Sequence, residues 1–225
     1  MYQLTDEIAF PNPAIASDEG LLAVGGDLSP QRILFAYQNG IFPWYNEYEP
    51  ILWWSPNPRF VLKPNQIVIS KSMRKLLKKE VFQLTFDTAF SEVLHHCATV
   101  TRKGQDGTWL ITEMIAAYQK LHELGFAHSV EVWQDKKLVG GLYGLSLWKV
   151  FFGESMFANV SNASKAALIH LAQTLDEKGF DLIDCQTETA HLYSMGARFI
   201  PRIEFLEGLS ANQKNKTWRG SWKSF

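Results

Sequence analysis

The sequence predicts a mixed α/β protein in which a small, proline- and tryptophan-rich N-terminal domain (residues 1–64) packs on a larger C-terminal domain (residues 65–225). Three observations lead to this prediction. A chain of 225 residues with 46% hydrophobic side chains is long enough to bury a substantial core. Eight of the nine prolines lie between Pro11 and Pro64. After them, strand and helix patterns alternate, which is typical of an α/β domain.

The N-terminal domain is expected to be rich in loops and to contain one helix. Ser29 is a good N-cap, Pro30 suits the first helical position, and Gly40 ends the helix after QRILFAYQN. The next segment, GIFPWYNEYEPILWWSPNPRF, has the composition of turns that carry aromatic side chains.

Strand patterns dominate the first part of the C-terminal domain. The segment FQLTFD (82–87) predicts a strand, and WLITEMIAAYQKLHELG (109–125) contains a helix that ends at Gly125. Residues 128–157 are typical of consecutive strands with a turn at Asp135-Lys136.

A second long helix precedes the last predicted strand. Either Asn162 or Ser164 caps the helix in NASKAALIHLAQTLDEKG, and Gly179 ends it. FDLIDCQ (180–186) is a short strand. The tail after Leu209 is polar, and we expect it to be loosely held.

Composition limits the partners and the compartment. With a formal charge of -1 and a pI near 6.6, the chain would bind nucleic acid only through basic residues gathered on one surface. Cys97 and Cys185 form neither a disulfide framework nor a C-x-x-C pair, which favours a reducing compartment. The sequence His95-His96-Cys97 lacks the spacing of metal ligands, so no metal is expected. Neither a signal peptide nor a membrane-length apolar run is present, so we expect a cytoplasmic protein with no membrane partner.

A basic stripe is the candidate nucleic-acid surface. Its members, which share one face of a helix with about 3.6 residues per turn, are Lys71, Arg74, Lys75, Lys78 and Lys79. Such a run is often an ordinary solvated surface. Repulsion between like charges at this spacing costs roughly a few tenths of a kcal/mol per pair, which a bound polyanion would relieve. We therefore favour binding to a phosphate backbone over a solvated surface.

Tryptophans in turn-rich segments are candidates for stacking on a base or sugar. Trp44 follows the rigid Phe42-Pro43 pair and Trp109 follows a glycine and a threonine, so these two are the better candidates. Trp53 and Trp54 are expected instead to fill the core of the small domain.

The segment LIDCQ (182–186) raises the question of whether Cys185 is a nucleophile. In a strand, Leu182, Asp184 and Gln186 share one face, while Ile183 and Cys185 point to the other. No histidine or cation lies nearby in the sequence to activate the thiol, so Cys185 is expected to be a buried hydrophobe. Asp184 and Gln186 form either an internal hydrogen-bond network or a pair of substrate-binding groups, and we favour the second.

Glu154 is a further acid in an apolar setting, in FFGESMF. An ordinary ion pair would account for it, and so would a functional carboxyl group with a perturbed pKa.

Taken together and in this order, several segments resemble the bacterial leucyl/phenylalanyl-tRNA–protein transferases. They are GLLAVGGDLSP, AYQNGIFPWY, ILWWSPNPRF, LHELGFAHSVEVW, LVGGLYG, GESMF, NASKAALI, LIDCQ and MGARFIPR, and they cover the chain from about residue 20 to 202. The resemblance implies an acetyltransferase-like (GNAT) fold for the C-terminal domain. It also implies transfer of Leu or Phe, less often Met, from Leu-tRNA or Phe-tRNA to the α-amine of proteins that begin with Arg or Lys. Such transfer marks these proteins for N-end-rule degradation. No cofactor is implied, and we expect a monomer.

The resemblance also assigns residues. Trp44 and Trp109 would hold the terminal adenosine of the tRNA, and the basic stripe would contact its acceptor stem. The amino-acid side chain would enter an apolar pocket formed by Leu142, Phe151, Met156, Leu168, Leu171 and Leu175.

In the mechanism expected from this resemblance, the aminoacyl ester is already activated and needs mainly alignment with a neutral amine. Gln186 would orient the amine or bond the oxyanion, because a neutral amide is too weak a base to remove a proton. Asp184 would fix the rotamer of Gln186 and stabilise positive charge. Glu154 would attract the cationic N-terminus or the Arg or Lys side chain.

Two other functions would account for parts of the sequence. An acyl-CoA-dependent N-acyltransferase of the GNAT type is the first, although the sequence has no match to the Q/R-x-x-G-x-G/A pyrophosphate loop. A non-enzymatic RNA-binding module is the second, and it gives no reason for Glu154, Asp184 and Gln186.

Overall fold

The computed structural model describes residues 2–99 and 111–225 of the chain. Within these ranges the strands form a smaller sheet of four strands and a larger sheet of seven. The mixed α/β class predicted from the sequence is confirmed.

The smaller sheet is built by the N-terminal part of the chain in the order β1-β2-β4-β3. Its strands are β1 (Tyr2–Leu4), β2 (Leu21–Gly25), β3 (Phe42–Pro43) and β4 (Leu52–Trp54). The predicted helix is present as α1 (Pro30–Gln38), and the Ser29 hydroxyl accepts a hydrogen bond from the Arg32 N–H at its start. Gly40 follows with a φ of 71°, a left-handed conformation that ends the helix.

The larger sheet has the order β11-β5-β10-β9-β8-β7-β6. Its strands are β5 (Arg59–Leu62), β6 (Gln83–Phe86), β7 (Ala127–Gln134), β8 (Lys137–Leu147), β9 (Val150–Ala158), β10 (Leu182–Gln186) and β11 (Arg198–Ile200). β9 and β10 run parallel, whereas their other neighbours in this sheet run antiparallel. The strand predictions are confirmed, including the turn at Asp135-Lys136, where both residues have positive φ.

The chain changes sheets earlier than the composition suggested. The predicted boundary follows residue 64, but β5 already pairs with β10 and β11. The change therefore falls between Trp54 and Arg59. The density of prolines predicts where the loops of the N-terminal part lie. It cannot predict which strand pairs with β5, because that strand lies more than a hundred residues further along the chain.

Helices cover both faces of the larger sheet and link its strands. They are α2 (Lys71–Leu77), α3 (Phe90–Thr99), α4 (Thr112–Glu123), α5 (Ala163–Glu177), α6 (Ala190–Ser194) and α7 (Arg202–Asn212), with short 3-10 turns at Pro13–Ile15 and Pro64–Gln66. α5 connects β9 to β10, as a parallel pair requires. Among the described residues, no helix combines the length and the apolar character needed to cross a membrane.

One core cluster joins the two sheets. It includes Tyr37 and Trp53 from the N-terminal part, Phe152 from β9 and Phe205 from α7, each at most 2% exposed. Trp53 is a core residue, as predicted, while Trp54 is only partly buried. A second cluster packs α5 on the other face of the larger sheet.

The C-terminal tail is not loosely held, contrary to the prediction. Trp222 is 1% exposed and stacks on the His128 ring at a centroid distance of 3.8 Å. Its backbone N–H donates to the Asp87 carboxylate at 2.8 Å. The polar composition of the tail concealed one large aromatic side chain and a backbone donor, both of which have partners in the core.

Candidate active site

A cavity of about 380 Å³ opens where β9 and β10 separate. The two strands pair from Leu182 opposite Val150 to Asp184 opposite Phe152. Beyond that point β9 continues to Ala158, whereas the register of β10 against β5 shifts between Asp184 and Gln186. Side chains from both strands therefore face the gap.

The floor of the cavity is apolar. Its lining includes Leu142, Phe151, Met156, Leu168 and Leu171, which are five of the six predicted pocket residues. Leu175 does not line it. On α5, Leu175 lies one turn beyond Leu171 and is fully buried in the core cluster under that helix.

β10 ends irregularly at Gln186, whose φ of 60° is a left-handed conformation that is uncommon for a residue with a side chain. Ile183, Cys185 and Gln186 all line the cavity, which takes its lining from both faces of the sheet. Ile183 and Cys185 pack in the second core cluster, whereas Asp184 and Gln186 bond to Arg59 and Glu154, whose neighbours belong to the first cluster. These contacts agree with the prediction that Asp184 and Gln186 share one face, with Cys185 on the other.

Asp184 lies outside the cavity lining and pairs with Arg59. The Arg59 guanidinium donates two hydrogen bonds to the carboxylate, at 2.9 and 2.7 Å, and both side chains are 0% exposed. A third donor of Arg59 reaches the Gly40 carbonyl at 3.1 Å. The positive charge that Asp184 stabilises in this structure is therefore Arg59.

Asp184 also acts on Gln186, but through the backbone. Its Oδ1 accepts the Gln186 N–H at 3.0 Å, which holds the left-handed turn in place. The Gln186 side chain is held by a different residue, because its Nε2 donates to Glu154 Oε1 at 3.1 Å. Asp184 was expected to fix this rotamer directly, but its hydrogen bond reaches the Gln186 backbone and Glu154 holds the side chain.

Cys185 has the character of a buried hydrophobe. Burial raises the pKa of its thiol, and the charge of Asp184 acts in the same direction, so the thiolate is disfavoured.

Glu154 makes three hydrogen bonds at the cavity wall. The Tyr37 and Tyr118 hydroxyls lie 2.6 and 2.8 Å from its two oxygens, and the Gln186 amide donates the third bond. Burial raises the pKa of Glu154 to about 7, and the negative charge of Asp184 contributes, whereas the three hydrogen bonds oppose this shift. Such a group changes charge near neutral pH.

Three residues of this site were missed in the sequence. Tyr37 and Tyr118 lie on the buried faces of α1 and α4, where a tyrosine is indistinguishable from a core aromatic residue. Arg59 stands in SPNPRF, a segment interpreted as turns. Its full burial required a carboxylate partner, a signal that appears only once the fold is known.

Trp44 stands at the rim of the cavity. Its side chain lines the opening and is 41% exposed, and its carbonyl accepts a hydrogen bond from the Trp54 indole at 2.6 Å. Trp109, the second predicted stacking residue, lies outside the described residues.

The basic stripe is exposed but only partly helical. Lys71, Arg74 and Lys75 lie within α2, Lys78 is its C-cap, and Lys79 follows the helix. The helix ends two residues earlier than a five-residue stripe requires, so Lys79 is not held in line by helical geometry. Met73 anchors α2 in the core, which leaves the charged side chains in solvent.

The site combines an apolar hole with a polar wall. The hole suits an apolar side chain, and Glu154 and Gln186 present a carboxyl group and an amide oxygen beside it. Among residues 2–99 and 111–225, no group of three or more His, Cys, Asp or Glu side chains is placed to hold a metal ion.

Comparison with known proteins identifies two matching family models. The model described as leucyl/phenylalanyl-tRNA protein transferase matches residues 61–210, and that of the N-terminal domain of the same proteins matches residues 26–57. Curated relatives named leucyl/phenylalanyl-tRNA–protein transferase include one from Syntrophus aciditrophicus, which is 57% identical over 96% of this chain and 91% of its own. Another, from Flavobacterium psychrophilum, is 56% identical over 93% of this chain and 99% of its own.

Similar solved structures are distant in sequence. An aminoglycoside acetyltransferase from an uncultured soil metagenomic sample aligns with a TM-score of 0.40 at 15% identity, over 58% of this chain and 88% of that one. The structure of L-PGS from Bacillus licheniformis aligns with a TM-score of 0.42 at 13% identity, over 88% and 66%.

Proposed function

Because the chain belongs to the leucyl/phenylalanyl-tRNA–protein transferase family, we propose that it transfers Leu or Phe, less often Met, from aminoacyl-tRNA to the α-amine of proteins that begin with Arg or Lys. The product carries a new N-terminal residue that serves as an N-end-rule degradation signal. The enzyme acts in the cytoplasm, where aminoacyl-tRNA is made, and we expect it to act as a monomer.

The observation that carries this proposal is the apolar cavity that ends at Glu154 and Gln186. A leucine or phenylalanine side chain in the hole would place the aminoacyl ester at the polar wall, where the strands separate. Leu142, Phe151 and Leu168 line the hole, so burial of an apolar side chain against them is favoured.

The chemistry requires alignment more than a strong base. The amine nitrogen of the acceptor attacks the ester carbon, the carbonyl oxygen becomes an oxyanion, and the bond to the ribose oxygen then breaks. The nitrogen loses a proton and the ribose oxygen gains one. One hydrogen of Gln186 Nε2 is donated to Glu154, so its amide oxygen can orient the N–H of the amine, or its second N–H can bond the oxyanion.

Glu154 supports the choice of a cationic acceptor. It is the carboxyl group at the cavity wall, and its charge faces the site, whereas the charge of Asp184 is neutralised by Arg59. An ammonium or guanidinium group would supply the counter-charge that ionised Glu154 lacks.

Trp44 and the basic stripe support the choice of tRNA. Trp44 offers an exposed ring at the rim for the terminal adenosine, and we assign Trp109 the same role from its sequence motif. The five bases of the stripe would meet the phosphates of the acceptor stem. Charge reversal at Lys75 and Lys78 should weaken tRNA binding and reduce its salt dependence. Reversal of Lys214 and Lys216, two exposed lysines outside the stripe, is the matched control.

One assay tests the function. The protein is incubated with Phe-tRNA and a peptide that starts with Arg, without ATP or CoA, and the peptide mass is measured. A gain of one phenylalanine residue, absent with a peptide that starts with Asp, is the expected result. Lack of transfer unless acyl-CoA is supplied would instead favour the acyl-CoA-dependent acyltransferase, and binding of tRNA with no transfer at all would favour an RNA-binding module.

A further inference from the structure

Three oxygen–oxygen contacts close a ring around the Glu154 carboxyl group. The Tyr37 hydroxyl lies 2.6 Å from Oε1, the Tyr118 hydroxyl lies 2.8 Å from Oε2, and the two hydroxyls lie 2.7 Å from each other. Each distance is typical of an O–H···O hydrogen bond. The ring therefore requires one hydrogen for each of its three contacts.

The two tyrosines supply only two of these hydrogens. Burial and the adjacent carboxyl group raise the pKa values of Tyr37 and Tyr118, so both are neutral phenols with one hydroxyl hydrogen each. If Glu154 were ionised and both phenols donated to it, the 2.7 Å contact between the phenol oxygens would contain no hydrogen. Two unshielded oxygens at that distance repel each other.

A protonated Glu154 supplies the third hydrogen. One direction of donation then satisfies every contact: the carboxyl group donates to Tyr118, Tyr118 donates to Tyr37, and Tyr37 donates to Oε1. Gln186 donates to the same Oε1, which has a second lone pair for it.

Glu131, a buried glutamate on β7, shows the opposite arrangement. Its carboxylate accepts from the Ser129 hydroxyl, the Thr85 hydroxyl and the Thr88 N–H. Each donor brings its own hydrogen, so an ionised carboxylate satisfies all three contacts. Burial alone therefore does not require a protonated carboxyl group. At Glu154 the requirement comes from the contact between the two phenol hydroxyls, which needs a hydrogen of its own.

The surrounding charges also favour a neutral Glu154. On β10, Asp184 repels a second negative charge, and the Arg59 guanidinium from β5 is already bound to Asp184. On β8, Tyr143 faces Tyr37 and brings no positive charge. No cation is bound to the ring itself among the contacts of the described residues.

The remaining titratable groups on the cavity wall are neutral near pH 7. Burial raises the pKa of Cys185 and lowers the pKa of His191, where Lys165 acts in the same direction. Glu154 is thus the group of this wall whose charge changes in the neutral range, because burial sets its pKa at about 7.

We propose that Glu154 is protonated in the empty site, sharing three hydrogens with Tyr37 and Tyr118, and that a cationic acceptor N-terminus displaces the carboxyl proton when it binds. The proton passes to water in the cavity, and the carboxylate that remains pairs with the cation. Acceptor capture is then coupled to proton release, and the site does not hold an unpaired buried charge while it is empty. The coupling rests on the proposed function, since it assumes a cationic acceptor.

Infrared spectroscopy of the protein without substrate tests whether Glu154 is protonated in the empty site. The difference between the protein and its Glu154→Gln variant should contain the C=O stretching band of a protonated carboxyl group. About nine-tenths of the full band is expected at pH 6 and about a tenth at pH 8. The matched variant Glu131→Gln should leave this band unchanged. Absence of the band at pH 6 overturns the proposal, whether or not the protein transfers amino acids.

Calorimetry in buffers of different ionisation enthalpy tests whether binding of the acceptor releases the Glu154 proton. An Arg-initiated peptide should release close to one proton per molecule bound at about pH 6, where the peptide amine is itself fully protonated, and about half a proton at pH 7. The same peptide should remove the infrared band. Equal release from the Glu154→Gln variant, or a band that persists when the peptide is saturating, overturns the coupling.

Failure of the proposed function has a different signature. A protein that has the infrared band but does not modify the Arg-initiated peptide refutes the function and not the protonated ring. A protein that modifies the peptide without the band refutes the ring alone.

Discussion

Two carboxyl groups stand on opposite sides of the same strand gap, and their surroundings give them different chemistry. On the β5 side, Asp184 is fully buried and its charge is cancelled by a bidentate Arg59. On the α1 and α4 side, Glu154 borders the cavity, and its hydroxyl and amide partners carry no charge. Burial of a paired carboxylate fixes a structure, whereas burial of an unpaired one leaves a group that exchanges protons and cations.

Removal of Arg59 should cause the largest loss of stability among these variants. Arg59→Met leaves the Asp184 charge buried without a partner, so we expect a loss of about 3–5 kcal/mol in the free energy of unfolding. Urea denaturation measures this loss. Arg32→Met is the matched control, because Arg32 is equally buried but its partner Asp27 is 53% exposed and remains hydrated. Equal losses in the two variants would show that the Asp184 charge is not the cause.

The second largest effect is expected in the pH dependence of stability, which depends on the raised pKa of Glu154. The pKa of Glu154 is raised to about 7 in the folded protein, from an ordinary value of 4.5. Between these two pH values the folded state therefore binds more protons than the unfolded state. Its contribution is therefore complete at low pH and is lost as pH rises through about 7, for a difference on the order of 3 kcal/mol. The stability difference between the protein and Glu154→Gln should shrink with rising pH, and a flat difference from pH 5 to 8 would contradict the shift.

Loss of one phenol should have a smaller effect. Tyr118→Phe removes the hydroxyl that bonds to both Glu154 and Tyr37 and opens the ring, which should cost about 1 kcal/mol of stability. If Glu154 holds the acceptor, KM for an Arg-initiated peptide should rise with little change in kcat. Tyr45→Phe, a buried tyrosine outside the ring, is the control for the loss of a hydroxyl group, and an identical change in KM for both variants would exclude a role for the ring.

The smallest effect concerns the backbone on the Asp184 side. Gly is normally less stable than Ala in a strand, but Gln186 has a φ of 60°. Gln186→Gly should therefore be more stable than Gln186→Ala by about 0.5–1 kcal/mol. Thermal unfolding of the two variants measures the difference, and the usual order of Ala over Gly would mean that the left-handed turn is not maintained.

The elements that were predicted correctly depend on local chemistry. Ser29, Pro30 and Gly40 cap α1 through contacts within the segment itself, so the sequence alone carries the signal. The same holds for Gly179 after α5 and for the turn at Asp135-Lys136. The five pocket residues that line the cavity came from the family resemblance rather than from a local pattern.

The predictions that failed depend on distant partners. Asp184 was expected to fix the Gln186 side chain, but its carboxylate is held by Arg59, 125 residues away in the sequence, and reaches only the Gln186 backbone. Tyr37 and Tyr118 come from two helices and meet only at Glu154. The tail looked loose because its anchor is a stack on His128, which no local pattern discloses.

The position of β5 has a consequence for how the chain folds. β5 enters the sheet between β10 and β11, so the hydrogen bonds between Arg59 and Asp184 close a loop of 125 residues. Contacts of such sequence separation form late, because the entropy of loop closure precedes any gain from pairing. The Gln186 turn depends on Asp184, so the reaction site should be completed in the final stage of folding. Recovery of activity after dilution from denaturant would then lag behind the recovery of the helical signal. The rate at which activity returns would report the rate at which β5 docks.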